Sequence, residues 1–122
     1  MIPPTRYIVI TPVRNEEHNF PFTVESFVNQ TVRPALWIIV DDGSKDRTAA
    51  IADEAAAKHS WIQVVHRADR GFRQPGTGVV QAFNEGLDLV GNREWDYLGK
   101  FDGDLSFDAD YYEKCFAHFD RD

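Results

Sequence analysis

The sequence predicts an α/β domain built on an open, largely parallel sheet with flanking helices. Four short apolar runs alternate with longer segments of helical periodicity, the order expected of strands joined through crossover helices. One run, Leu36-Trp37-Ile38-Ile39-Val40, is apolar without interruption, as in a strand buried on both faces. Two runs end in acidic, glycine-containing turns, Asp41-Asp42-Gly43 and Asp102-Gly103-Asp104, and open α/β sheets collect ligands at the carboxyl ends of their strands.

The first strand is read at Tyr7-Ile8-Val9-Ile10. Asn15-Glu16-Glu17-His18-Asn19 breaks the apolar run, and Phe20, Val24, Phe27 and Val28 then recur at helical spacing. Pro21 suits the first turn of that helix, where its missing N–H costs no intrahelical bond. Pro34 separates the helix from the second strand at 36–40. After the acidic turn at 41–46, an alanine-rich helix to about His59 carries Ile51, Ala52, Ala55 and Ala56 on one stripe. Its small side chains allow close approach to a sheet, and Ser44 or Asp46 is placed to cap it. Trp61-Ile62-Gln63-Val64-Val65 reads as the third strand.

The stretch from Arg67 to Gly78 holds Gly71, Pro75, Gly76 and Gly78, so it reads as an ordered surface loop of the kind that meets ligands. Val79 or Val80, Phe83, Leu87 and Val90 define the inner face of a third helix, which Gly86 weakens without ending. Asp96-Tyr97-Leu98-Gly99-Lys100-Phe101 is the fourth strand. A last helix runs from about Asp108 to Phe119, with Tyr112, Cys115, Phe116 and Phe119 on its apolar side. The connections imply right-handed crossovers.

Composition narrows the function. The 122 residues, 43% of them hydrophobic, suffice for one core and are too few for two ordinary domains. A net charge of −7 with scattered basic residues argues against a nucleic-acid partner. Cys115 is the single cysteine, which excludes an internal disulfide and a thiolate-rich metal centre, so stability must come from packing. No apolar stretch approaches the roughly 20 residues of a membrane-spanning helix, so no membrane span is expected. The start, Met1 to Arg6, lacks the pattern of a secretory signal. A cytoplasmic location is expected, with attachment at the cytosolic face of a membrane left open.

The acidic strand ends carry the chemistry. Asp102 and Asp104 lie two residues apart, so in strand geometry both carboxylates face one side and can approach a hard divalent cation, Mg2+ or Mn2+, or ligand hydroxyls. Such a cation would bridge diphosphate oxygens and offset charge on a departing phosphate group. The same residues also fit a plain acidic turn in which Gly103 supplies backbone freedom. Asp41 and Asp42 end a separate strand, where they can meet a polar ligand or bond the following turn. Two acidic clusters on two strand ends of one sheet point to one crevice. His18, His59, His66 and His118 form no close-spaced ligand set, so each is read as solvated or packed. Cys115 is read as a packing residue.

With Thr11-Pro12-Val13-Arg14-Asn15-Glu16-Glu17, Val40-Asp41-Asp42-Gly43-Ser44-Lys45-Asp46, Ala82-Phe83-Asn84-Glu85-Gly86-Leu87 and Phe101-Asp102-Gly103-Asp104 in this order and spacing, the chain resembles the nucleotide-sugar-binding half of a family 2 glycosyltransferase with a Rossmann-like GT-A fold. The resemblance covers nearly the whole chain, whereas the family's domain continues past residue 122. Residues 1–122 are thus expected to be the donor-binding portion of a longer domain, with the acceptor-binding portion absent. It implies that Thr11 and Pro12 edge the nucleotide pocket, Glu16 contacts the ribose, Asp42 accepts from a pyrimidine ring N–H, and Asp41 shapes the turn. Asp104 is implied as a direct metal ligand, with Asp102 on the ribose, the metal or a metal-bound water. Arg67, Arg70 and Arg73 are candidates to approach phosphates or to form a solvated charged face, and Lys100 is electrostatic support or an ordinary exposed residue. Asn84 would organise backbone near the pocket, and Gly86 would permit close helix packing.

The activity implied is metal-assisted, inverting transfer of a sugar from a nucleotide-diphosphate donor, UDP-linked by the resemblance, to a carbohydrate, lipid-linked or other hydroxyl acceptor. The family places the catalytic base in the acceptor-binding portion, and none is assigned here. Two other classes compete. Gly76-Thr77-Gly78 superficially resembles the turn of an NAD or flavin oxidoreductase, but it does not follow the first strand. A magnesium-binding, receiver-like signalling module has a compatible length and acidic sheet edge, yet the paired aspartates follow the second strand.

Overall fold

In the computed structural model, which describes residues 6–67, 77–91 and 95–119, eight elements alternate as the sequence predicts. They are β1 (Tyr7–Val13), α1 (Phe20–Val28), β2 (Leu36–Asp42), α2 (Thr48–Lys58), β3 (Ile62–Arg67), α3 (Thr77–Val90), β4 (Tyr97–Lys100) and α4 (Tyr111–Phe119). All strand pairings are parallel, in the order β3-β2-β1-β4.

Strand alternation sorts the core into two layers, because successive side chains of a strand point to opposite faces. Tyr7, Val9 and Val13 of β1 join Trp37 and Ile39 of β2, Phe20 and Phe27 of α1, Ala52 and Ala55 of α2, and Phe116 of α4 on one face. Ile8, Ile10, Leu36, Ile38 and Val40 face Ala82 and Val90 of α3 on the other. The first layer is rich in aromatic contacts: Phe27 lies 4.2 Å from Trp37 between ring centroids and meets Phe101 and Phe107 edge-on.

Several boundaries shift from the sequence expectation. β1 continues past Ile10 through Thr11-Pro12-Val13, with Pro12 opposite Val40. The β4 register ends at Ile10 opposite Lys100, so proline's missing N–H removes no bond on that side. β3 runs two residues further than expected and places His66 opposite Asp41 and Arg67 opposite Asp42. Arg67 therefore belongs to a strand instead of a loop. Most of the expected loop, with Arg70, Gly71, Arg73, Pro75 and Gly76, lies outside the described residues.

The inner face of α3 is also rotated. Ala82, Gly86 and Val90 face the sheet, whereas Leu87 is 38% exposed. The side chains of Val79 and Val80 lie outside the described residues. The cause is close approach: a Cβ on Gly86 would stand 2.6 Å from Ile10 Cγ2 and 3.1 Å from Val40 Cγ2. The small residues Ala82 and Gly86 at i and i+4 let the helix sit on the strands, and the bulkier Leu87 turns outward. Pro21 occupies the first turn of α1 as expected.

Candidate functional site

The chain order places a site before any side chain is considered. From β1 the sheet grows through β2 to β3, then jumps back so that β4 flanks β1 on the other side. The crevice outside the carboxyl ends of strands at such a reversal is where open α/β sheets bind ligands. A cleft of about 150 Å³ lies at that place, lined by Pro12, Val13, Arg14 and Glu16 after β1, Asp42 at the end of β2, and Asp102, Gly103 and Asp104 after β4. Pockets for organic ligands hold several hundred Å³, so a nucleotide sugar seated here extends past these walls.

Two loops form the first wall, and they are stitched together by side-chain to backbone bonds. Asn15 adopts a left-handed backbone with φ of 52°, which an asparagine tolerates better than most residues. In that conformation its N–H donates to Ser44 Oγ at 3.0 Å, while its Oδ1 accepts from Lys45 N at 2.8 Å. Glu16 N donates to Thr48 Oγ1 at 2.8 Å and Glu17 N to Asp46 Oδ2 at 3.2 Å. Arg47 N donates back to Glu17 Oε2 at 3.3 Å, and Arg14 Nη1 donates to the Asp42 carbonyl at 3.1 Å. The backbone of Glu16 is thus held against the start of α2. The N-cap position of that helix is Arg47, with no side-chain cap of its own, and neither Ser44 nor Asp46 occupies it; Asp46, one residue earlier, accepts from Thr48 N at 2.9 Å. Burial pushes the Asp46 carboxyl up, but bonds from the Thr48 side chain and the Thr48 and Glu17 backbones outweigh it and hold the group below its ordinary range.

The opposite wall is the turn after β4. Gly103 is buried because it docks on the end of β1: a Cβ there would lie 2.4 Å from Val13 Cγ1 and 3.4 Å from Phe20 Cδ1. Its neighbours Asp102 and Asp104 are thereby left exposed at the cleft. Beyond them, polar side chains on α1 and just past its end pin the descending chain. Thr23 Oγ1 donates to the Leu105 carbonyl at 2.6 Å, Ser26 Oγ accepts from Phe107 N at 3.1 Å, and Gln30 bonds the Asp108 carbonyl at 2.6 Å and Tyr112 N at 3.1 Å. Thr23 and Ser26 share one face of α1 and Gln30 follows two residues past its end, so the C-terminal half of the helix and its exit fix where the acidic turn ends.

Electrostatically the cleft is acidic but partly compensated. Asp42 has a side chain 5% exposed, and its Oδ1 accepts from Arg67 Nη1 at 3.0 Å. Arg67 also pairs with Glu85 through Nε at 2.6 Å, tying β2 and β3 to α3. A buried carboxylate needs such a partner, since stranding one costs several kcal/mol. Lys100 pairs with Asp102 at 2.9 Å, but both side chains are well exposed, so that bond contributes little. Asp41 shapes the turn as expected, its Oδ1 accepting from Ser44 N at 3.0 Å.

The expected site residues divide accordingly. Pro12, Glu16, Asp42, Asp102 and Asp104 converge on one cleft. Thr11 does not join them: it is fully buried, and its Oγ1 accepts from Trp37 Nε1 at 2.9 Å in the core. Asn84 lies on α3 and Gly86 packs beneath it, away from the cleft lining. Among the described residues no group of three or more His, Cys, Asp or Glu side chains is placed to hold a metal by itself. Mg2+ is ordinarily held by one or two carboxylates completed by phosphate oxygens and water. The oxygen-donor pair Asp102 and Asp104 fits a hard cation on those terms, as a partial ligand set.

Sequence reasoning missed Arg14 as a cleft residue, the steric role of Gly103, and the bonding of His66, which lies between two carboxylates. Register could have signalled the last, since extending the third strand by two residues sets His66 beside Asp41. Of the dinucleotide-like turn, Thr77 and Gly78 open α3 after β3, on the wrong strand for a pyrophosphate loop of that kind.

Comparison with known proteins bears on this geometry. The sequence model described as Glycosyl transferase family 2 matches residues 8–122. Polyprenol monophosphomannose synthase of Mycolicibacterium smegmatis is 34% identical over 105 residues, covering 85% of this chain and 37% of that protein. The chain spans little more than a third, or less, of the curated relatives it matches. Among solved structures, S. aureus TarS in complex with UDP-GlcNAc superposes with a TM-score of 0.72 at 21% identity, over 96% of this chain and 32% of that one. Mannosyltransferase PcManGT from Pyrobaculum calidifontis, in complex with GDP-Man and Mn2+, superposes with a TM-score of 0.56 at 22% identity, over 69% of this chain and 24% of that one. The shared architecture is the Rossmann-like fold of nucleotide-sugar transferases.

Proposed function

The chain belongs to glycosyl transferase family 2, and from that premise we propose that its strand-end cleft binds the nucleotide-diphosphate part of a sugar donor for metal-assisted, inverting transfer to a hydroxyl acceptor. The observation that carries the reading is the convergence of Glu16, Asp42, Asp102 and Asp104, from three strand ends, on one cleft at the reversal of the sheet. The donor is read as UDP-linked. TarS was solved with UDP-GlcNAc, and a carboxylate at Asp42 suits a pyrimidine ring N–H. Glu16, held by its backbone to Thr48, is assigned to the ribose, with Pro12 as the adjacent wall and Thr11 as a buried support behind it.

Asp104 would hold a divalent cation, Mg2+ or Mn2+, with Asp102 beside it on the cation, its water or the ribose; the Mn2+ in PcManGT supports this choice. When bound, such a cation offsets the negative charge on the departing diphosphate. The protein's own contribution is orientation. Gly103 seats the acidic turn on Val13, and the stitched loops hold Glu16 and Asp42 facing it. Residues 1–122 are assigned the donor-binding role, with the acceptor base supplied by a further part of a longer protein. The acceptor class is a carbohydrate, lipid-linked or other hydroxyl; the polyprenol in the name of the mycobacterial relative supports a lipid. No helix among the described residues is long and apolar enough to cross a membrane. The reading carries a cytoplasmic location, at the cytosolic membrane face where the acceptor is lipid-linked.

Calorimetric titration with UDP, GDP and their sugars, with and without Mg2+ or Mn2+, tests this. Binding that needs the cation, prefers uridine and falls at least about tenfold in both Asp104→Ala and Asp42→Ala is expected. Affinity unchanged by both substitutions would remove the proposed site.

A further inference from the structure

The loop-bearing end of β2 is braced by a histidine that does not touch the cleft. His66 Nδ1 lies 3.0 Å from Asp41 Oδ2, and its Nε2 lies 2.8 Å from Asp53 Oδ1 on α2. Both partners are carboxylates, which accept and do not donate when ionised. Neutral imidazole carries one N–H and can satisfy only one of them, so the doubly bonded geometry belongs to the imidazolium. Bonds to Asp41 and Asp53 accordingly push His66 above its ordinary range. The two anchors differ in exposure, the Asp41 side chain being 5% exposed and that of Asp53 59%. Asp41 also accepts from Ser44 N, and Ser44 Oγ in turn accepts from Asn15 N, one residue before Glu16. A chain of bonds therefore runs from His66 through Asp41 and Ser44 to both cleft loops.

We propose that His66, as imidazolium, is a positioning residue that locks the Asp41–Ser44 corner in its ligand-ready form, so that nucleotide-sugar binding depends on a proton held outside the cleft. Among the described residues, the charged groups bonded to it are Asp41 from β2 and Asp53 from α2. On its own strand, Arg67 is turned to Asp42 and Glu85. Raising the pH through the His66 pKa removes one of the two bonds. The remaining proton stays on Nδ1, where it serves the buried carboxylate, and the tie to α2 is released. Affinity is highest while His66 is protonated and falls as the pH rises.

The ligand arm of this claim rests on the proposed donor reading, and the test separates the two. A UDP-sugar is the probe, because its doubly esterified diphosphate does not titrate between pH 6 and 8.5. In the wild-type chain with Mg2+ its affinity should fall by about fivefold across that range, the lower end of ordinary coupling between sites. His66→Gln should bind at the weaker level throughout, with no pH dependence. Asp53→Asn should move the midpoint to lower pH. In a ligand-free arm, the Gly43 and Ser44 amide resonances should titrate together with the His66 ring in the wild type and stay flat in His66→Gln. Flat amides in the wild type, or the wild-type pH dependence persisting in His66→Gln, would overturn the proposal. Absence of any nucleotide binding at every pH would instead refute the donor reading, and the amide titration would still decide the role of His66.

Discussion

Substituting Gly103 by alanine isolates how the acidic turn is held. Gly103 does not have a positive φ, so alanine brings no backbone strain and its whole effect is steric. The new Cβ would stand 2.4 Å from Val13 Cγ1, well inside ordinary carbon contact of about 3.5–4.0 Å. Val13 is 3% exposed, with little room to move, so the turn must lift by about 1 Å. Overpacking of this kind costs about 2 kcal/mol. Because Asp102 and Asp104 flank the glycine, cation-dependent nucleotide affinity should fall by at least about tenfold. Val13→Ala alone leaves a small cavity and costs about 2 kcal/mol as well. In the double variant the offending methyl is gone and the nearest remaining atoms are Phe20 Cδ1 at 3.4 Å and Val13 Cβ at 3.5 Å, both ordinary contacts. The double variant should therefore lose about 2 kcal/mol instead of the additive figure of about 4 kcal/mol, and recover much of the affinity. Urea denaturation and calorimetry measure the two quantities. A Gly103→Ala protein within about 0.5 kcal/mol of wild type with intact affinity, or strict additivity in the double variant, would refute the docking argument.

Other perturbations probe separate links. Thr11→Val leaves the buried Trp37 N–H without its acceptor and should cost about 1–3 kcal/mol by chemical denaturation. Gly86→Ala gains up to about 1 kcal/mol of helix propensity but drives a methyl into Ile10 and Val40, so a net loss of about 1 kcal/mol in unfolding free energy is expected. Asp46 has a folded pKa below its unfolded one. It contributes stability above the unfolded value, and that contribution disappears as pH falls through the folded value. The stability gap between wild type and Asp46→Asn should accordingly close on acidification below about pH 4.

The legibility of this protein follows the range of its interactions. Helix and strand identities were readable because Leu36 to Val40 and the alanine-rich stripe of α2 are local patterns. The end of β1 was misjudged at Thr11-Pro12, since proline reads as a strand breaker unless the pairing of neighbouring strands is known. On α3 the large apolar Leu87 drew the inner face toward itself, while the face in fact follows Ala82 and Gly86, where closeness matters more than bulk. The family resemblance nominates Thr11, Pro12, Glu16, Asp42, Asp102 and Asp104, and topology brings all of them but Thr11 to one cleft. What escaped the sequence is long-range and polar. Arg67 meets Asp42 across 25 residues of chain, Asn15 meets Lys45 across 30, and Thr23 meets Leu105 across 82. Such pairs leave no periodicity behind, and they emerge only when parallel register sets strand ends side by side.

On the proposed reading, Asp102 and Asp104 bring a divalent cation to a nucleotide held by the β1 and β2 loops. Paramagnetic broadening of amide resonances by Mn2+ in the presence of UDP measures this directly. Broadening is expected to centre on Gly103 and Asp104, to spread to Asn15–Glu16 and Asp42–Ser44, and to be abolished by Asp104→Ala. Broadening centred elsewhere, or the same pattern in Asp104→Ala, would contradict it.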